Sequence, residues 1–163
     1  MYAFAATTLA LAGLAAAAPT LQDRQESQFR LHATGVLAGW ALVNAHVDAG
    51  RNTIQIQRPS AYQSDISYLN GTNLYFDLGT TIPYGVRIPD VAEATVGEVF
   101  SQSGEMSPGF SINADQFLVY DHNTEGFWAC SVNNTFELFY GLNPDPGNLP
   151  GECIEIELQV SSV

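Results

Sequence analysis

The chain has 163 residues, with 17 acidic side chains against five basic ones, all arginine, and a formal net charge of −12 at pH 7. That length supports one domain rather than two. The charge excludes nucleic acid and anionic membrane surfaces as partners, because both repel it.

Residues 2–18 are Ala/Leu-rich and uncharged, and they end in Ala15-Ala16-Ala17-Ala18. This is the apolar region and small-residue cleavage zone of a secretory signal peptide, shorter than the ~20 residues of a membrane span. Cleavage is expected after Ala17 or Ala18. Pro19 beside the second bond favours the first, which makes residues 1–17 the signal peptide. Residues 18–28 are polar and aperiodic and read as a flexible arm. One β domain is then expected over 29–163, extracellular, and its final residues carry no hydrophobic tail of the kind that directs a lipid anchor.

From residue 29 onward the pattern is that of strands. Residues 29–34 and 36–47 read as extended, the second with Trp40, Leu42, Asn44 and His46 on one face and Ala41, Val43, Ala45 and Val47 on the other. Gly39 within it marks a bulge or a close backbone approach. Gly50 suits a turn, and residues 53–57 alternate with Ile54 and Ile56 inward and Thr53, Gln55 and Gln57 outward. Residues 62–68 fit either a strand or a connecting turn. Asn70-Gly71 is a hairpin signal, and 73–78 alternate with Leu74, Phe76 and Leu78 on one face. A short edge strand is expected at 84–88 between Pro83 and Pro89. Residues 89–98 and the Ser/Gly/Pro-rich 101–108 read as loops. Short strands follow at 110–113, 116–121, 127–130, 136–140 and 154–160, with an irregular loop at 142–151. About nine to eleven short strands and no convincing helix define an all-β single domain, a sandwich or closed antiparallel barrel, with a trefoil-like barrel as the alternative.

Two cysteines in an exported chain imply one disulfide, Cys130–Cys153. Its loop closure is worth roughly 3–4 kcal/mol. Asn70-Gly71-Thr72 and Asn133-Asn134-Thr135 match the N-glycosylation acceptor and fall in expected turns. The histidines, His32, His46 and His122, are scattered. His46 with Asp48 and His122 is the one combination with acid–base or metal potential, and nothing in the sequence brings them together. No Gly-x-Ser-x-Gly elbow is present. Glu155 and Glu157 share a face of the last strand, with Ile154, Ile156, Leu158 and Val160 on the other, as core inside and charge outside require. No catalytic, cofactor or metal site is therefore expected. The remaining binding candidates are aromatic: Trp40 and Trp128, with Tyr75, Tyr84 and Tyr140, would stack on sugar rings if exposed in a row.

The run Leu69-Asn70-Gly71-Thr72-Asn73-Leu74-Tyr75-Phe76-Asp77-Leu78-Gly79, followed by Ile82-Pro83-Tyr84-Gly85, resembles a family of small secreted proteins of filamentous fungi known only as a domain of unknown function. Phe127-Trp128-Ala129-Cys130, then Phe136-Glu137-Leu138-Phe139-Tyr140 and the late Cys153, are similar to its closing pattern. Where members carry Gly-Gly-Trp, this chain has Gly126-Phe127-Trp128, so that match is partial. More distantly the layout is similar to fungal cell-wall proteins of the phialide and IgE-binding type. The resemblance covers residues 29–160 and brings no catalytic residues. It implies origin and compartment: an exported, wall-associated fungal protein. The expected function is non-catalytic, with a module that binds a cell-wall polysaccharide or a host protein as the first alternative. A small secreted hydrolase is the remaining alternative.

Overall fold

The computed structural model describes residues 27–59 and 63–163. The signal peptide expected at 1–17 lies outside these residues, as does the expected arm apart from the exposed Ser27 and Gln28. Among the described residues fourteen strands are formed: β1 (Phe29–Ala33), β2 (Ala41–Asp48), β3 (Arg51–Gln57), β4 (Ile66–Asn70), β5 (Asn73–Asp77), β6 (Tyr84–Arg87), β7 (Gly97–Glu98), β8 (Phe100–Ser103), β9 (Phe110–Ile112), β10 (Leu118–Tyr120), β11 (Phe127–Val132), β12 (Thr135–Tyr140), β13 (Cys153–Ile156) and β14 (Leu158–Ser162). Single 3-10 turns occupy Gly35–Leu37 and Pro146–Asn148.

Seven strands close into an antiparallel barrel in the order β3–β2–β1–β4–β5–β6–β8, with β8 returning to β3. The all-β expectation holds, and of the architectures left open it is the closed barrel that forms. At β3 the sheet forks. Arg51, Asn52 and Thr53 pair with β8, whereas Gln55 and Ile56 pair with β12. From that fork an extension grows as β12–β11–β13. The final strand joins it back to the barrel. Its first half, β13, pairs with β11, and after a break at Glu157 its second half, β14, pairs with β1.

Period-two alternation fills the interior. Leu31, Leu42, Ile54, Leu74, Phe76, Val86, Val99, Phe127, Leu138 and Leu158 all point inward and are buried. They leave about 10 Å³ of space at the centre, which is at most room for one water. The barrel is a packed core, not a ligand container. Phe110, Tyr120, Tyr140 and Phe127 add a contiguous aromatic cluster, with ring centroids 4.8–5.2 Å apart.

Several expectations are corrected. Residues 101–108, read as loop, contain β8, the strand that closes the barrel. Its Ser-Gln-Ser composition hid it because its inward residue, Ser101, meets a polar layer of the interior rather than the apolar one. Ser101 is fully buried and its hydroxyl donates to Asn44 Oδ1. Residues 84–88 do not form an edge strand, since β6 is flanked by both β5 and β8. Residues 36–47 are not one strand: the 3-10 turn and Gly39, at φ +78°, precede β2, and the bulge falls later, between His46 and Asp48. Val43 and Thr53 face away from the barrel core yet are buried. The Asn-Gly signal is displaced by one residue: Asn70 pairs with Asn73, so the turn is Gly71-Thr72, with Gly71 at φ +62°.

Packing is tight enough that a methyl group matters. A side chain at Gly141 would collide with the Thr95 carbonyl. Gly141→Ala is expected to destabilise the fold by about 1–3 kcal/mol through overpacking. Phe76→Ala, which empties the barrel centre, should cost about 3–5 kcal/mol. Urea denaturation checks both, and a loss below about 1 kcal/mol for Phe76→Ala would contradict the packed-core description.

Candidate functional site

The aromatic candidates do not form a row. Trp40 packs edge-on against Phe136, 5.9 Å between centroids, with Arg58 over its ring at 5.3 Å. It belongs to the inner side of the sheet, beside the core. Trp128 alternates with the buried Phe127 and Ala129 and so lies on the outer face. Its indole N–H donates to the Gly141 carbonyl at 2.9 Å. Tyr75 and Tyr140 are buried and Tyr84 is half-buried. The stacking platform therefore reduces to Trp128.

The histidines are likewise dispersed. His32 Nε2 lies 3.1 Å from Ser161 Oγ, His46 Nδ1 lies 3.2 Å from Asn52 Oδ1, and His122 is exposed in a turn at φ +68°. No polar contact joins His46 to Asp48. The polar layer that contains Asn52 continues through Asn44, whose N–H and Nδ2 donate to Asp65 Oδ2 at 2.6 and 3.1 Å, and to Ser101. Serine, histidine and aspartate thus occur in one layer, but each is bound to an asparagine rather than to another of the three, so no nucleophile–base contact exists there. Among the described residues no group of three His, Cys, Asp or Glu side chains is arranged to hold a metal ion.

Both sequon asparagines, Asn70 and Asn133, are exposed at hairpin turns. Asn133 and Asn134 sit at φ +49° and +66°, the left-handed pair that a two-residue hairpin needs and that asparagine tolerates. Cys130 and Cys153 are directly opposite each other on β11 and β13 and are joined, with 2.03 Å between sulfurs and 4.0 Å between Cα atoms.

Two surface features escaped the sequence reading. The first is a carboxylate pair on the outer face at the β3 fork. Glu98 pairs with Arg51 at 3.0 Å, and Arg51 lies over the Phe100 ring at 4.2 Å. Glu137 stands nearby. Burial raises its pKa first, the negative charge of Glu98 raises it further, and the Thr53 hydroxyl lowers it in part. That hydroxyl is buried and forms no well-aligned hydrogen bond. The second is a groove of about 420 Å³ across the break in the last strand, lined by Thr34, Gly35, Phe117, Glu125, Glu155 and Glu157. These residues come from four separate parts of the chain. Glu155 and Glu157 were legible as a shared outer face, but only the meeting of β1, β13 and β14 brings Glu125 and Phe117 to them.

The fold and its surface define a closed, filled β-barrel with a disulfide-clasped extension. The chain belongs to the family described as domain of unknown function DUF7907, whose model matches residues 26–162. No curated protein and no solved structure matches it.

The Glu137 environment has a measurable consequence. A carboxyl whose pKa is raised on folding contributes stability that is present below its unfolded pKa and lost as pH rises through the folded value. Glu137→Gln removes that dependence. Relative to the wild type, the variant is expected to gain stability as pH rises from the ordinary glutamate range through the raised Glu137 value, measured as the difference in urea midpoints. A difference that stays constant with pH would show that Glu137 titrates like a free carboxyl.

Proposed function

We propose that this is an exported, non-catalytic recognition protein of a filamentous fungus, acting at the cell wall or on a host target, and glycosylated at Asn70 and Asn133. The observation that carries the reading is the contrast between interior and surface. The barrel centre has about 10 Å³ free, whereas a groove of about 420 Å³ crosses the outside at the last strand. A β-barrel that carries a ligand or substrate within it needs a cavity of some hundreds of Å³, and the barrel centre formed by the described residues has none of that size. The scattered histidines, two of them in contact with a serine and an asparagine, also favour binding over hydrolysis. Export is supported by the apolar, uncharged N-terminal run and by the disulfide, a bond that persists in oxidising compartments. Fungal origin rests on the motif resemblance around residues 69–85 and 127–153.

A polysaccharide version of this reading draws on one further contact. Trp128 lies opposite Glu155 across the β11–β13 pair, on the outer face. An aromatic ring beside a carboxylate suits stacking on a sugar and hydrogen bonding to its hydroxyls. It predicts retention on insoluble β-glucan or chitin that is lost in Trp128→Ala.

The reading is tested by expressing the full chain in a filamentous fungus and analysing medium and cells by intact-mass spectrometry. The expected product is found in the medium, begins at Ala18 or Pro19, and loses mass at Asn70 and Asn133 on enzymatic deglycosylation. An unprocessed chain starting at Met1 and retained in the cytosol would overturn it.

A further inference from the structure

The backbone beside the groove narrows what it can hold. The Ser131 N–H donates to the Glu152 carbonyl at 2.8 Å. By antiparallel alternation, Ala129–Ile154 and Phe127–Ile156 are then hydrogen-bonded pairs, and Cys130–Cys153 and Trp128–Glu155 are not. The short Cα spacing of the two cysteines, 4.0 Å, fits the closer, non-hydrogen-bonded kind of pair. The backbone N–H and C=O groups of Cys153 and Glu155 therefore point away from β11.

One step further along, that same edge is occupied. The Glu157 carbonyl accepts from the Thr34 N–H at 3.1 Å, and the Glu157 N–H donates to the Thr34 hydroxyl at 3.0 Å. From there β1 runs beside β14. But β1 ends at Ala33, and Gly35, at φ +65°, turns the chain away. Among the described residues no strand continues its lane beside β13. This edge is unpaired among the described residues, and it lies at the Thr34–Gly35 end of the groove.

We propose that this lane accepts an extended peptide of alternating basic and apolar residues, which adds to the sheet as a strand along β13. The proposal rests on the surface-recognition reading and names the partner. Strand addition uses main-chain hydrogen bonds for affinity and alternate side chains for specificity. Here the alternation is set by the host strand. A guest residue opposite Glu155 sits on the outer face, where an opposite charge is favoured. Exposed Glu155 and Glu125, with half-buried Glu157, supply three carboxylates within the groove. A guest residue beside Ile154 sits on the inner face, against a side chain that packs on the core, and there an apolar group fits. The net charge of −12 steers a cationic partner toward the protein and rejects acidic ones.

The test uses the full chain and a synthetic peptide of alternating arginine and valine, with an N-methylated version as control. N-methylation at alternate residues keeps the charge and side chains but removes the donors that the edge requires. Calorimetry should detect binding of the first peptide that weakens with salt and falls about tenfold or more on N-methylation or in Glu125→Lys/Glu155→Lys. Hydrogen exchange should show new protection at the Cys153 and Glu155 amides. Equal binding of both peptides, or protection elsewhere only, would overturn strand addition. Should chitin or β-glucan oligomers shift these amides while the peptide does not, the peptide assignment falls and surface recognition stands. If neither peptide nor sugar binds, both fall.

Discussion

The structure depends on one seam, the last strand. Within the barrel most strands pair with a neighbour in sequence, and the β1–β4 and β8–β3 pairs close the ring. Residues 153–162 instead tie together parts of the chain that are far apart in sequence. β13 completes the β11–β12 extension and β14 completes the outer side of β1, the first strand of the domain. Ile156 and Leu158, on either side of the break at Glu157, both reach the common core. Without this strand the extension would keep to the barrel only its core packing and short backbone pairings, chiefly β12 with β3, and β1 would expose an unpaired edge.

The disulfide makes sense as a brace for that seam. Sequential pairing forms readily because little loop entropy is lost, whereas the closing strand must be held against the entropy of the loop before it. Residues 142–151, rich in proline and glycine, form no strand and are fixed mainly by hydrogen bonds from Asp145 N–H and Asn148 Nδ2 to the Ala94 carbonyl. Joining Cys130 to Cys153 places a covalent bond at the first register position after that loop. The rest of the strand then aligns from a fixed start, and the glycines and prolines before it need not specify a conformation.

Much of this was legible in sequence. Clean alternation at Ile54/Ile56, Leu74/Phe76 and Ile154/Ile156/Leu158 revealed strands and their inward faces, and the cysteine pair was deducible from number and context alone. The barrel's closing strand was not, because Phe100–Ser103 carries serine and glutamine and shows no apolar alternation, so that 101–108 read as loop. Its inward serine is satisfied by Asn44, a partner 57 residues away, and single-sequence patterning has no access to such pairs. The surface features failed to appear for the same reason. Glu137 was visible only as a member of an aromatic-rich strand, and the groups that shift its pKa besides burial, Glu98 and Thr53, arrive from other strands. Trp40 and Trp128 were grouped by type, and their separation onto opposite faces follows from the sheet rather than from spacing. Family membership, residues 26–162, spans both the barrel and its clasp, so the seam lies within the matched unit rather than appended to it.

The claim that the last strand holds the domain together is tested most directly by deleting residues 158–163, which removes β14 and leaves the disulfide in place. Thermal unfolding followed by near-ultraviolet circular dichroism, which reports the packed aromatic cluster, is the measurement. The account predicts that the shortened chain loses its cooperative transition and its near-ultraviolet signal, because β1 and the core lose their cover together. A shortened chain that keeps the native signal and melts cooperatively near the full-length temperature would contradict it.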